Sequence, residues 1–359
     1  MPKSELSFLE LSALPAQQPC QTESLMPWLV KARAEIGELK GYTSVFSKTP
    51  DLLYSIYLLD AVDTIALDGT IFTKELALEN QLLNEPEQSM EIKQMMRLRN
   101  ALHWSKVELL RSNEISERFM KNVHSIITGK KTDAFRDKNV VSGKNNASIQ
   151  QSRLPEAKQI KILFDDLLQF IQKDDPGFDP LVRSIIAAGQ FEALRPFEDT
   201  GNRTARIFFY LLLLKFGLLK EPLLLLSSHL RKNSEGYNRI FEEAIHSGNW
   251  CPYVKFMLHG ISLQAKETRE KLTTVEELHH QWQHDVKKKC AQIYSTELVD
   301  TLFQLPVISP LRLSSRLNIH YTTATRYLKK LEQNKFLENK SSGKYQLYTN
   351  KQVIQLIAS

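Results

Sequence analysis

Residues 191–219, FEALRPFEDTGNRTARIFFYLLLLKFGLL, decide how this chain is read. They divide into a helix end, a polar loop and a second, very apolar helix. The loop, residues 195–203, holds Pro196, the acidic pair Glu198 and Asp199, a Thr200-Gly201-Asn202 turn signal and the basic Arg203; Arg206 follows one turn later. Backbone N–H groups at a helix start, with two arginines nearby, suit phosphate oxygens. Asp199 can hold a magnesium ion beside those oxygens, because that hard ion takes one or two carboxylates together with phosphate.

The flanks on both sides are helical. Upstream, residues 179–194 carry Leu181, Ile185, Ile186, Ala188, Phe191 and Leu194 at helical spacing, and Pro196 then fixes φ and stops the helix. Downstream, residues 204–219 are apolar on nearly every face, as the central helix of a bundle would be, and a site on its N-terminus would be well held. Farther out, the periodicity predicts helices over 28–39, over 51–67 with Asp51 as N-cap and Gly69 as stop, over 75–111 in two pieces parted near 84–86, over 115–128 and over 155–172. Residues 223–244 and 250–267 complete a mostly α core, and 271–305 read as a charged helix pair or one long helix. The methionines at 90, 95 and 96 read as core.

The loop resembles the signature of the Fic (Fido) family, His-Pro-Phe-x-Asp/Glu-Gly-Asn-Gly-Arg-x-x-Arg. Pro196, Phe197, Asp199, Arg203 and Arg206 match it without a gap; Arg195 stands where the family has His, and Thr200-Gly201-Asn202 where it has Gly-Asn-Gly. Family members typically move AMP from ATP onto a hydroxyl side chain of a target protein, with the His as general base. The resemblance therefore implies a nucleotide-phosphate pocket formed by Thr200, Gly201, Asn202, Arg203 and Arg206, with magnesium on Asp199. A guanidinium, with a pKa of about 12.5 or higher, stays charged and accepts no proton. Transfer activity is accordingly expected to be lost or weakened, with Arg195 serving as a further cation for phosphate or as a partner of Glu198 or Asp199. Thr200 stands where a glycine type is favoured for positive φ, and Gly201 lets the turn re-form one residue on.

A second match lies upstream. Residues 64–69, Thr-Ile-Ala-Leu-Asp-Gly, resemble the family's inhibitory helix motif Ser/Thr-x-x-x-Glu-Gly/Asn, which assigns Thr64, Asp68 and Gly69 a regulatory role. The family's Glu reaches the last Arg of the signature. Asp68 is one methylene shorter, so pairing with Arg206 calls for a closer helix or a bridging water; a surface acid at a helix end is the plainer reading. Residues 135–152, with Val140, Val141 and a Gly143-Lys144-Asn145-Asn146 turn, read as the family's β-hairpin flap or as a loop. Tyr237 and Trp250 fall where the family places aromatics near the base, and also suit core packing.

The last stretch is a separate unit. Residues 311–317 and 321–334 about an Asn318-Ile319-His320 turn read as helix-turn-helix, and 336–339 with 345–348 as a two-stranded wing. From Leu311 onward nine Lys or Arg face two Glu, a net of +7 against +6 for the whole chain, so the rest is about −1. Thr322, Thr323, Arg326, Lys329, Lys330 and Lys344 are candidate DNA contacts; a docking or dimer module is the other reading.

The expected architecture is an N-terminal helical region over 1–110 containing the inhibitory helix (51–69), a Fic core over 111–267, a linker helix or helices over 268–305 and a winged-helix domain over 306–359. Expected partners are ATP or another nucleotide with Mg2+, a target protein, DNA through the tail, and a second copy in a homodimer. The alternative function is a DNA-binding regulator or interaction protein with the Fic fold as sensor or dimer platform. Three cysteines among 359 residues (Cys20, Cys251 and Cys290) give no disulfide framework or zinc spacing, and a reducing, cytoplasmic setting is expected. The start lacks a signal-peptide core, and the longest apolar run, 207–214, falls well short of the roughly 20 residues that span a bilayer. His280 and His284, one turn apart without a third ligand, read as a solvated helix face rather than a metal site.

Overall fold

The computed structural model describes residues 11, 23–46, 50–70, 72–80, 88–139, 154–173, 178–198, 203–342 and 345–358. Among these, the N-terminal part holds α1 (Met26–Phe46), α2 (Pro50–Ala66), α3 (Lys74–Asn80) and α4 (Met90–Ser112). The middle holds α5 (Glu117–Thr128), α6 (Ile160–Gln172), α7 (Pro180–Leu194) and α8 (Arg203–Lys215). After these come α9 (Leu226–Lys232), α10 (Ser234–Ser247) and α11 (Cys251–Lys289). The C-terminal part is α12 (Thr296–Gln304), β1 (Val307–Ile308), α13 (Pro310–Leu317), α14 (Tyr321–Gln333), β2 (Glu338–Ser342), β3 (Tyr345–Thr349) and α15 (Lys351–Ala358). The chain is mostly α, and no described helix is long and apolar enough to cross a membrane.

Local chemistry sets the helix ends. Ser89 and Ser116 accept from the amides of Ile92 and Phe119 to open α4 and α5, and Asp179 accepts from Leu181 N with Pro180 in the first turn of α7. α8 is the centre of the bundle: residues 204–213 are all buried, and α8 packs against α7, α4, α5 and α2. Phe208 stacks on Phe191 of α7 at 4.7 Å, so the two helices flanking the loop share one aromatic contact. The ends of the loop are therefore fixed by the most buried part of the molecule.

Several boundaries differ from the sequence expectation. α2 begins at Pro50, which puts Asp51 inside the first turn rather than at the cap. α8 stops at Lys215 instead of running to 219, because Gly217 turns the chain at φ +64°. The single helix expected over 223–244 is two, α9 and α10, parted at Asn233. The division expected at 267/268 falls inside α11, one continuous helix of 39 residues that packs on α1 and α10 and also on α12 and α15 of the tail. β1 and α15 are additions to the expected tail: β3 pairs antiparallel with β2 on one side and with β1 on the other, giving the order β1-β3-β2. The expected flap lies largely outside the described residues, since 140–153 are not among them.

Candidate functional site

The first residues of the signature loop leave α7 in a strained backbone conformation, and a buried arginine bonds to that backbone. Arg195 follows the last turn in the left-handed region (φ 40°, ψ 67°), its N–H donating to Phe191 O at 3.2 Å. That conformation disfavours any residue with a Cβ. Arg136, 5% exposed, is the brace: Nε donates to Arg195 O (2.8 Å), Nη2 to Pro155 O (2.6 Å) and Leu194 O (3.4 Å), and Nη1 to Lys138 O (3.0 Å). Its backbone N–H donates to Pro196 O at 2.9 Å. Burial moves the Arg136 pKa below its ordinary value and the Arg195 cation adds to this, with Glu198 opposing; an arginine stays charged regardless. On the opposite side Phe197 is buried, stacked on His124 at 4.4 Å and tilted against Phe135 at 5.6 Å. Pro196 and Phe197 are thus anchored, while Glu198 is exposed.

Arg203 opens α8 and meets the end of α2. Its Nε donates to Asp68 Oδ2 at 2.7 Å, and its Nη1 reaches Gln94 Oε1 of α4 at 3.4 Å. Asp68 sits in the turn just past Ala66, with Asp68 N donating to Ile65 O and Gly69 N to Ala66 O. Gly69 there takes φ +91°, which a side chain would resist. Thr64, buried one turn earlier, donates to Asp60 O (2.8 Å) and lies 2.8 Å from Ser227 Oγ of α9. The hexapeptide therefore docks α2 on α9 through Thr64 and on the signature through Asp68.

The arginine that meets Asp68 is the first of the signature, not the last. Arg206 is enclosed, 6% exposed, with Nη1 3.5 Å from Glu192 Oε2 and the guanidinium 5.1 Å from the centre of the Tyr237 ring; Tyr237 Oη donates to the same Glu192 oxygen at 2.7 Å. Burial works against the Arg206 charge, but Tyr237, Glu192 and Tyr253 outweigh it and its pKa lies above the ordinary value. The expected Asp68–Arg206 pair is thus replaced, for a geometric reason. Three residues along a helix is about 4.5 Å deeper into the bundle, and the short Asp68 side chain reaches the nearer guanidinium. Arg203 and Arg206 do not converge in this arrangement: one faces the α2 turn, the other an internal carboxylate.

The remaining expected positions separate clearly. Asp199, Thr200, Gly201, Asn202 and Lys344 lie outside the described residues. Tyr237 and Trp250 are core residues; Trp250 packs so closely on Gly189 that a Cβ there would come within 2.6 Å of its ring. Among the described residues no group of His, Cys, Asp or Glu is arranged to hold a metal, and it is His279 that finds a carboxylate, Asp300 at 2.7 Å. In the tail Thr322, Arg326, Lys329 and Lys330 are exposed and Thr323 is half-buried. Sequence reasoning missed Arg136, Gln94 and Glu192. Of these Glu192 left a signal, an acid inside an otherwise apolar helical run.

This layout has counterparts among known proteins. Residues 114–213 match the Fic/DOC family, and residues 278–353 match the family described as protein adenylyltransferase SoFic-like, C-terminal domain. A Fic family protein from Desulfovibrio desulfuricans G20 superposes with a TM-score of 0.59 at 21% identity, over 92% of this chain and 98% of its own. Fic-1 from C. elegans gives 0.51 at 16% over 70% of this chain and 74% of its own. A Fic domain containing signaling protein from Bacteroides thetaiotaomicron VPI-5482 gives 0.50 at 14% over 66% and 97%. Helix α7, the loop after it and α8 as far as Leu213 lie in the first matched segment, and α12 to α14 with the β2–β3 hairpin in the second. The chain therefore carries a Fic/DOC family domain over residues 114–213 and, over residues 278–353, a match to the C-terminal domain described as protein adenylyltransferase SoFic-like, on a fold shared with Fic family proteins.

Proposed function

We propose that this chain binds a nucleoside triphosphate at the 195–203 loop, with Arg203 as the principal side-chain cation for its phosphates, and that it transfers AMP to protein hydroxyls weakly or not at all. The contact between Asp68 and Arg203 carries this reading. A guanidinium at the N-terminus of a buried helix is suited to phosphate oxygens, and here a carboxylate from the turn after α2 occupies it. Asp68 is thus a stand-in for the anion, and nucleotide binding requires its displacement. Magnesium, carried on Asp199, would neutralise phosphate charge in the filled site.

The chemistry explains the expected weakness. In AMP transfer a hydroxyl oxygen bonds to the α-phosphorus, the bond to the β-phosphate oxygen breaks, and pyrophosphate leaves. The hydroxyl proton needs an acceptor, and Arg195, permanently protonated, supplies none. Arg195 can stabilise negative charge on the phosphates instead, and the Arg136 bond to Arg195 O fixes the backbone that carries it.

Two measurements test this reading. Titration calorimetry with ATP and Mg2+ is expected to show weak binding to the natural chain and about ten-fold or tighter binding to Asp68→Ala, since a freed charged hydrogen bond is worth roughly 1.5–3 kcal/mol. Heat of binding absent from both proteins would remove the nucleotide pocket. Incubation with labelled ATP and a cell lysate should label little with the natural chain and about 10²–10⁴ times more with Arg195→His. Strong labelling by the natural chain that Arg195→Ala abolishes would overturn the missing-base argument.

A further inference from the structure

We infer that the outward face of α14, together with the exposed Arg312 of α13, the helix packed against it, is a binding surface for double-stranded nucleic acid, separate from the nucleotide reading of the loop. The arrangement of side chains on α14 is the basis. Ala324, Leu328 and Leu331 are its buried residues. Thr322, Arg326 and Lys329 each precede one of them by two positions, which is about 200° round a helix. The three therefore form one stripe on the side opposite the core contact, and all three are exposed, as are Lys330 beside them and Tyr321 at 48%. On α13, Pro310 and Leu313 turn inward, leaving Arg312 and the 70%-exposed Leu311 at the surface.

The charge on this face is unbalanced where it matters. The acids of the segment are Glu332 and Glu338, and Glu338 is taken by Lys351 at 3.1 Å. Lys340 of the hairpin is also spent internally, its Nζ lying 2.8 Å from both carboxylate oxygens of Glu79 on α3. Not every lysine of the basic tail is thus available: Arg326, Lys329, Lys330 and Arg312 are presented, and Lys340 is not. A straight stripe of cations and a hydroxyl on a 13-residue helix, α14, matches the width and the phosphate walls of a duplex groove. An acidic protein surface would supply charge without that linear spacing.

Fluorescence anisotropy of the full chain with a labelled 20-base-pair duplex of mixed sequence tests the inference. Four phosphate contacts imply a loss of about a hundred-fold in affinity between 50 and 200 mM KCl. The Arg326→Gln, Lys329→Gln, Lys330→Gln triple variant should lose at least ten-fold in affinity at 50 mM and flatten the salt slope by about three. Because these side chains are exposed, the variant is expected to melt with the parent; the single Lys329→Gln variant, lowering the slope by about one, serves if it does not. Lys340→Gln should bind within two-fold of the parent. Absence of binding at 50 mM, a Lys340→Gln loss equal to that of the triple variant, or displacement of the duplex by polyglutamate as readily as by unlabelled duplex would each overturn the assignment.

Discussion

At the scale of single residues it is Arg136, outside the signature, that holds the start of the loop. Its side chain donates to four carbonyls, at 138, 155, 194 and 195, while its amide holds Pro196 O. These bonds offset the conformation of Arg195, since the left-handed region stores roughly 1–3 kcal/mol in a residue with a Cβ. Arg136→Met keeps the apolar stem but leaves those carbonyls without their donor, and is expected to lower stability by about 3 kcal/mol or more. Arg136→Lys, with a point charge instead of a planar fork, should recover only part. Urea unfolding of the three proteins measures this, and a lysine variant equal to the parent would show that charge alone, not the forked geometry, holds the loop. Nothing in the sequence exposed this role. A buried arginine whose partners are main-chain carbonyls has no complementary side chain to pair with in a reading of residue types. The signature itself was legible because its residue types are chemical: a proline that stops a helix, acids, and arginines at a helix start.

At the scale of elements, α2 packs with polar side chains in its buried face. Asp60, Asp63 and Thr64 are all buried, Asp63 within 2.8 Å of Arg231 and 3.1 Å of Lys74, and Asp60 beside Ser227 and Tyr210. Burial, and next the charge of Asp63, push the Asp60 carboxyl up from 3.8 to about 6, against the hydrogen bonds from Ser227 and Tyr210. The folded chain therefore keeps a proton that the unfolded chain releases near pH 4. Stability falls as pH rises between about 4 and 6 and carries a constant penalty above that, on the order of 1.4 kcal/mol for each ten-fold weakening of the acid. Asp60→Asn cannot ionise and retains the acceptor oxygen. It should match the parent near pH 4 and exceed it by roughly 1–3 kcal/mol at pH 7.5 in urea titrations; a variant weaker than the parent at pH 7.5 would show the ionised carboxylate to be stabilising. The position of α2 was legible from its apolar period and Gly69. Its docking through Thr64 was not, because Ser227 lies on a helix that the apolar run 223–244 merged with its neighbour, and the break at Asn233 has no proline or glycine to mark it.

At the scale of the whole molecule, α11 makes the core and the tail one structure. Its 39 residues extend about 58 Å, with Tyr253, Val254, Met257 and Ile261 in the core and Trp282 and Val286 under the tail. The shift from apolar to charged composition after residue 267 suggested a linker, but Leu272, Val275, Trp282 and Val286 keep one helical stripe buried throughout, and the charges are that helix's outer face. The tail closes on it through Trp282, whose Nε1 donates to Gln352 Oε1 at 2.8 Å and whose ring meets Phe303 and Phe336 at 5.3 and 5.1 Å. It reaches the N-terminal part through Lys340 and Glu79. A shared helix and a contact back to α3 couple the two ends, so calorimetry should show a single melting transition for the natural chain. Glu277→Pro, at an exposed position about two thirds of the way along α11, removes one helical hydrogen bond and clashes with the preceding turn at a cost of about 3 kcal/mol or more. It should divide that transition into two, with the tail melting first because its core is the smaller. Two transitions in the natural chain would mean that α11 transmits no stability between the parts, and a single lowered transition in Glu277→Pro would mean that the packing of α12 on α2 and of α15 on α3, not the helix, is what joins them.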